Sequence, residues 1–115
     1  MLWENHNGLQ DKFVTYWDTV SARFANNPYV VGYDPINEPM PANLLTDPSL
    51  ALQTTKMDKT ILTPLYKRTY DVYQKHDSSK TMFFEPCQVP DVVPLFHGIV
   101  NKVGFEAAPG ANKNN

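Results

Sequence analysis

Two glutamates stand directly before prolines in this sequence, Glu38 before Pro39 and Glu85 before Pro86. Each pair closes an apolar run, and because proline offers no amide hydrogen to a sheet, each strand must end about there. A carboxylate at the C-terminal end of a buried parallel strand is where α/β barrels place catalytic groups. Glu38 is therefore the leading candidate for a general acid. Asn37 beside it is a neutral amide that can donate to a substrate hydroxyl.

The roles of the two glutamates leave alternatives open. A general acid must hold a proton near neutral pH, and a dry strand end beside a second carboxylate favours this for Glu38. Adjacent strands lie ~4.8 Å apart, and retaining glycosidases separate their two carboxyl groups by about 5–5.5 Å, so a Glu38/Glu85 catalytic pair is possible. The preferred prediction is that Glu85 orients neighbouring groups by hydrogen bonds. The bland alternative is that Asn-Glu-Pro merely ends a strand.

Aromatic side chains could stack on sugar faces, and the candidates are Tyr33, Phe83, Phe84 and Phe96. Core packing is the preferred interpretation for Phe83 and Phe84, because they lie within an apolar strand. Cys87, the single cysteine, excludes an internal disulfide and is expected to be an inert thiol. His97 is expected at the surface.

The first predicted elements are a helix from about Asp11 to Ala25 and a strand from Tyr29 to Asn37. The helix carries one apolar stripe formed by Phe13, Trp17, Val20 and Phe24. Trp17 and Phe24 are expected to face the core. The apolar start of the strand, Tyr29 to Val31, is typical of a strand buried on both faces.

A second helix is predicted over Thr63 to His76, with Thr63 as its N-cap and Pro64 in its first position. A second strand, Thr81 to Phe84, follows a turn at residues 77–79. A strand, helix and strand in this order predict two parallel, adjacent strands. Long loops are expected after each strand, from Pro39 to about Leu62 and from Cys87 onward, and such loops form the functional face of a barrel.

Composition narrows the classes of partner. The 115 residues carry a formal net charge of -2 and no basic block, so no nucleic-acid partner is expected. No apolar stretch reaches the length of a membrane span, and the first residues do not resemble a signal peptide. His6, His76 and His97 lack metal-ligand spacing, so no metal or other cofactor is expected.

Two strands leave open sheet edges and uncovered apolar faces, whereas a full barrel needs ~250 residues. We therefore expect residues 1–115 to be an internal piece of a larger α/β barrel. The segments that carry a family resemblance are Gly32–Pro39, Phe13–Phe24 with Asn27-Pro28, Asp47–Leu50, Leu62–Tyr66, Phe83–Pro86, Gly104-Phe105 and Pro109-Gly110. Together they resemble glycoside hydrolase family five, in its endoglycoceramidase-related branch.

The resemblance implies a partial (β/α)₈ TIM barrel, from roughly the third helix through the fifth strand. It implies hydrolysis with retention, with Glu38 as the acid/base, Asn37 on the sugar 2-hydroxyl and Glu85 in substrate binding. The family nucleophile lies on a seventh strand that this sequence does not contain, and Glu106 does not match it. The implied substrates are glycosphingolipids, cleaved between sugar and ceramide, or another glycolipid or oligosaccharide. A secreted or lysosomal-type location is implied by the resemblance alone.

Two other functions remain open at this stage. One is a β-glucan-type hydrolase of the same family, which would need aromatic platforms along an open cleft. The other is a non-catalytic, truncated barrel remnant with a sugar-binding role. Because the nucleophile strand is absent, this chain alone is expected to be inactive.

Overall fold

The computed structural model describes residues 2–41, 45–52, 54–88 and 103–110. Its helical elements are a 3-10 turn His6–Gly8, α1 (Leu9–Phe24), α2 (Ser49–Leu52), α3 (Thr54–Met57), a π-helical turn Asp58–Leu62, and α4 (Thr63–His76). Its strands are β1 (Gly32–Tyr33) and β2 (Thr81–Met82). The described part is thus a partial α/β structure, and both predicted helices are confirmed.

The two strands pair in parallel, with Gly32 opposite Thr81 and Tyr33 opposite Met82. The ladder extends one bond further, where the Phe83 amide donates to the Tyr33 carbonyl at 2.9 Å. A side chain at position 32 would collide with the Thr81 carbonyl, so only glycine allows this close approach. The predicted adjacent parallel pairing is confirmed.

Helices α1 and α4 pack together on one side of the sheet and form the core with it. Tyr33 and Met82 are buried on this side. Trp17 of α1 contacts Tyr33 and Tyr73, with ring centroids 6.2 Å and 5.8 Å apart. Edge-on aromatic contacts of this kind stabilise a core beyond the area they bury. Trp17 therefore faces the core, as predicted.

The prediction of a first strand buried on both faces is wrong. Tyr29 is 93% exposed because the turn after α1 continues to it, and Val31 is 73% exposed. On β2, Phe83 is 49% exposed, which also contradicts its expected core packing. Val31 and Phe83 are exposed for the same reason: among the described residues, helices cover only one side of the sheet, and nothing packs on the other side. Phe24, expected in the core, is 40% exposed because it ends α1.

The loop predicted from Pro39 to Leu62 is instead helical over Ser49–Leu52 and again from Thr54 onward. Asp47 starts this helical stretch, since its carboxylate accepts the Ser49 amide at 3.2 Å. Thr63 is not an N-cap. It continues a helix already under way, and its hydroxyl donates to the Asp58 carbonyl at 2.7 Å.

The π-helical turn ends at Leu62, two positions before Pro64, and the proline explains why the turn lies there. Proline has no amide to donate and its ring clashes with the carbonyl four residues back in an α-helix. In the π turn the Thr63 amide reaches back to the Asp58 carbonyl, one residue further than an α-helix allows. The extra residue lets the helix continue through Pro64.

Asp58 lies within this turn and is buried, and its side chain joins two segments of the chain. No pattern in the sequence indicated this role. Its side chain accepts the Cys87 amide on Oδ1 and the Gly104 amide on Oδ2, each at 2.7 Å. Burial raises the pKa of Asp58, and the two backbone hydrogen bonds oppose that rise. The carboxylate thereby fixes the segment after β2 and the returning residues 103–110 against the helix. Within the described ranges, no helix is both long and apolar enough to cross a membrane.

Candidate active site

The segments that follow the two strands run side by side. The Glu38 amide donates to the Glu85 side chain at Oε2 over 2.9 Å. Further along, the Gln88 amide donates to the Pro39 carbonyl at 2.9 Å. The structure thus brings Glu38 and Glu85 together at the C-terminal end of adjacent parallel strands, with Asn37 next to them in the chain.

Glu38 adopts an unusual backbone conformation. Its φ is 47°, in the left-handed region, which non-glycine residues enter at a cost of about 1–3 kcal/mol. The following proline adds a further restriction on the backbone of Glu38. Pro39 itself is fully buried. Hydrogen bonds on both sides of the Glu38–Pro39 peptide therefore hold a conformation that the isolated chain would avoid.

The prediction that this strand end is shielded from water is wrong for the described residues. Asn37 and Glu38 are both exposed, and Glu85 is half-buried. The described residues cover the sheet from the helix side only, which leaves the opposite side of the strand ends open to solvent. Access for a substrate is consequently unobstructed on that side in the described part of the chain.

Tyr66 lies beneath the strand ends and was missed by the sequence reasoning. Its hydroxyl accepts the Glu85 amide at 3.3 Å and donates to the Glu85 carbonyl at 3.1 Å, with the Ile36 carbonyl at 3.5 Å. The helical stripe of α4 indicated that Tyr66 is buried, but no pattern identifies the backbone groups that a buried phenol meets. The hydroxyl is protonated at neutral pH, as any ordinary phenol is, and burial raises the pKa of Tyr66 further, to about 12.

Asp34 adds a further carboxylate near Glu85. Loss of hydration and then the negative charge of Glu85 raise the pKa of Asp34, while a hydrogen bond from the Ile36 backbone lowers it. A carboxyl group whose pKa is raised beside another carboxylate is a common feature of acid/base sites. The strand end therefore gathers acidic groups from both segments.

The aromatic candidates divide between core and surface. Tyr33 is buried against Tyr73, with ring centroids 4.8 Å apart, and Phe84 packs on Tyr66 and Phe105 at 5.9 Å and 5.1 Å. Phe83, in contrast, exposes 49% of its surface on the open side of the sheet. It is the described candidate best placed to stack on a sugar.

The remaining candidates either lie away from Asp34, Glu38 and Glu85 or fall outside the described residues. Phe96 and His97 lie outside the described residues. Cys87 is buried, which raises the pKa of its thiol to about 12, as suits an inert thiol. The exposed Glu106 forms an ion pair with Lys59 at 2.9 Å. No group of three or more metal-ligating side chains occurs in the parts of the chain that the structure describes.

Comparison with known proteins relates this arrangement to glycosidases. No family model matches the chain. An endoglycoceramidase of Hydra vulgaris is 31% identical over 84 residues, covering 73% of this chain and 16% of that protein. A beta-xylosidase of Phanerodontia chrysosporium is 30% identical over 83 residues, covering 72% of this chain and 14% of that protein.

Solved structures give the same relationship. Endo-glycoceramidase II from Rhodococcus sp., in its lactosyl-enzyme intermediate, matches with a TM-score of 0.62 and 25% identity over 77% of this chain and 19% of that one. Its ganglioside GM3 complex matches with the same TM-score, 0.62, at 26% identity. The chain thus spans less than a fifth of the length of these relatives. Over about three quarters of its own length it is related to the endoglycoceramidases, and the resemblance carried by its motifs is confirmed.

Proposed function

We propose that residues 1–115 are an internal segment of a retaining glycosidase barrel, from about its third helix through its fifth strand. The observation that carries the proposal is the hydrogen bond from the Glu38 amide to the Glu85 carboxylate at the shared end of two parallel strands. A carboxylate in that position matches the catalytic face of a TIM barrel. The relatives named as glycosidases support the same class of reaction.

Glu38 acts as the acid/base in this proposal. It protonates the glycosidic oxygen as the bond to the leaving group breaks, while a nucleophilic carboxylate from another part of the barrel bonds to the sugar. It then takes a proton from the water that releases the sugar, and that proton restores the acid for the next cycle. Asn37 holds the sugar 2-hydroxyl, and Glu85 orients the site through the Glu38 backbone.

Glycosphingolipids are the proposed substrate class, with cleavage between sugar and ceramide. Two curated relatives are named endoglycoceramidase, and the Rhodococcus enzyme is known in complex with ganglioside GM3. The beta-xylosidase relative and a cellobiose-like imidazole complex of the Rhodococcus enzyme support the alternative of a β-glycan substrate. Hydrolysis of a ganglioside and of a β-glucan oligosaccharide, measured side by side, separates the two.

A non-catalytic remnant with a sugar-binding role is the alternative from a different class. The transcript sequence beyond the Asn115 codon distinguishes them. A continuing frame that encodes further strands and a strand-terminal glutamate supports the enzyme. A stop codon directly after Asn115 supports the remnant.

The test of the proposed chemistry is Glu38→Gln in the complete barrel that contains this segment. Loss of a general acid costs about 10²–10⁴-fold in rate, so hydrolysis of the natural glycolipid should fall by that factor. Formation of the glycosyl-enzyme from an activated aryl glycoside should be spared, because its leaving group needs no proton. Asn37→Ala is the matched control and should slow both substrates alike, since it acts on the sugar. Wild-type glycolipid hydrolysis by Glu38→Gln would refute the assignment.

A further inference from the structure

We infer that the Tyr66 hydroxyl positions the two strand ends, and through them Glu38, for the acid/base step. The inference rests on the proposed function and adds a residue to it. Tyr66 is fully buried on α4, behind the strand ends. It acts through the backbone that carries the reacting group, so it is a positioning residue.

One phenol oxygen joins backbone groups of both strand-end segments. It bonds to the Glu85 amide and carbonyl, which follow β2, and lies 3.5 Å from the Ile36 carbonyl, which follows β1. Glu38 lies two residues beyond Ile36, and Glu85 supplies the carboxylate that accepts the Glu38 amide. Tyr66 therefore bonds directly to the backbone of Glu85 and reaches the β1 segment two residues before Glu38.

The strand ends require such a link because prolines interrupt their ladder. Pro35, Pro39 and Pro86 cannot donate an amide hydrogen. The regular ladder ends at the Phe83 amide, and the next backbone bond is from Gln88 to Pro39. Within the described residues, the Tyr66 hydroxyl and the Glu85 carboxylate bridge this gap, where Glu38 adopts its left-handed conformation.

The position and protonation of the phenol suit this task. Phe84 and Phe105 pack against the Tyr66 ring, with centroids 5.9 Å and 6.0 Å away, so neighbouring aromatics hold the hydroxyl in place. Because a phenol is protonated at neutral pH and burial raises the pKa of Tyr66 further, the hydroxyl can donate and accept at once throughout the neutral range.

The test is Tyr66→Phe in the complete barrel, which removes the hydroxyl and keeps the ring. Misplacement of a reacting group by about 1 Å can cost 10²-fold in rate. The kcat/KM on the natural glycolipid should therefore fall on the order of ten- to hundredfold. The kcat/KM on an activated aryl glycoside reports glycosyl-enzyme formation with a leaving group that needs no proton, so it should change much less. The ratio of the two rates is the readout, because a general loss of folded enzyme lowers both equally.

Tyr73→Phe is the matched control on the same helix. The Tyr73 hydroxyl is buried and has no hydrogen-bond partner among the described residues, so its removal should leave the rate ratio at the wild-type value. An equal loss on both substrates in Tyr66→Phe, or an unchanged ratio, would overturn the inference. If Tyr66→Phe does not fold, 3-fluorotyrosine at position 66 keeps the ring and hydroxyl, weakens the oxygen as an acceptor from the Glu85 amide and strengthens the hydroxyl as a donor to the Glu85 carbonyl. A rate ratio that departs from the wild-type value then supports the inference, and an unchanged ratio overturns it.

The result for Tyr66 is distinguishable from failure of the proposed function. If Glu38→Gln retains wild-type glycolipid hydrolysis, the proposed function fails and the Tyr66 inference fails with it. If Glu38→Gln shows the expected dependence on the leaving group but Tyr66→Phe does not, only the positioning role is wrong.

Discussion

At the residue scale, the left-handed backbone of Glu38 is the feature that most constrains the site. A φ of 47° before a proline is unfavourable for glutamate. Residues with a strained backbone persist where contacts with the surrounding structure hold that conformation, and they concentrate at functional sites. Here the Glu85 carboxylate supplies one such bond, to the Glu38 amide. The strain is thus maintained by the residue whose own role the sequence left open.

Glu85 can be tested as an orienting group against the alternative of a second catalytic carboxylate. Glu85→Gln keeps an oxygen that can accept the Glu38 amide, whereas Glu85→Ala removes it. If Glu85 orients Glu38, the alanine variant should lose on the order of 10²-fold in kcat, and the glutamine variant should lose clearly less. Steady-state kinetics on the natural glycolipid measures both. Equal, severe losses in the two variants would instead indicate that the charge itself reacts.

At the element scale, the π-helical turn connects helix packing with the site. Its Asp58 side chain holds the Cys87 amide, two residues after Glu85, and the Gly104 amide of the returning segment. At Gly104 a side chain would meet the Thr55 backbone of α3, so this contact also requires glycine. The turn therefore anchors the segment after β2 close to Asp34, Glu38 and Glu85.

Asp58 predicts a specific dependence of stability on pH. Its pKa in the folded state is raised above the ordinary 3.8, so between 3.8 and the raised value the folded state binds more protons than the unfolded state. The contribution of Asp58 to the free energy of unfolding is fully present below pH 3.8 and is lost as the pH rises through the raised pKa. The complete barrel with Asp58 should therefore lose stability with rising pH when compared with its Asp58→Asn variant, in which position 58 does not titrate.

Denaturant unfolding of both proteins over about pH 4 to 7 checks this prediction, because the slope of the stability difference gives the difference in bound protons. The constant cost of replacing an oxygen acceptor in Asp58→Asn cancels from the slope. A stability difference that grows with rising pH would show that the two amide bonds outweigh burial.

The sequence predicted the elements that are specified by residues close together in the chain. Helix α4 and the parallel strand pair followed from apolar periodicity and from the two Glu-Pro endings. The stretch from Pro39 to Leu62 is predicted as a loop because it is proline-rich and because Thr63-Pro64 matches the start of a helix, whereas in the structure a π-helical turn precedes Thr63 and the helix continues through Pro64. The hydroxyl of Tyr66 and the carboxylate of Asp58 bond to backbone amides or carbonyls far away in sequence, and single-chain periodicity carries no signal for such contacts.

At the scale of the whole molecule, apolar surface remains uncovered. Among the described residues, large apolar side chains on or near the open side of the sheet are exposed, including Val31 at 73% and Phe83 at 49%. The radius of gyration is 15.2 Å, whereas a compact domain of this length has about 13 Å. A barrel interior would cover these side chains, which agrees with the proposal that the chain is one part of a barrel.

The 115-residue chain expressed alone is therefore expected to be loosely packed or prone to aggregate. Size-exclusion chromatography with light scattering should show heterogeneous association, and thermal scans should lack a sharp transition. A complete barrel containing the segment serves as the control and should melt cooperatively. A monomer of the isolated chain with a sharp, reversible melt would contradict the proposed partial architecture.

The most direct test of Glu38 as the acid/base is chemical capture of the glycosyl-enzyme. In Glu38→Gln of the complete barrel, water lacks a general base, but azide attacks without one. Incubation with an activated aryl glycoside and azide should yield a glycosyl azide with the substrate configuration retained, identified by NMR. Glu85→Gln should yield hydrolysed sugar instead. A glycosyl azide formed by Glu85→Gln and not by Glu38→Gln would contradict the assignment of Glu38.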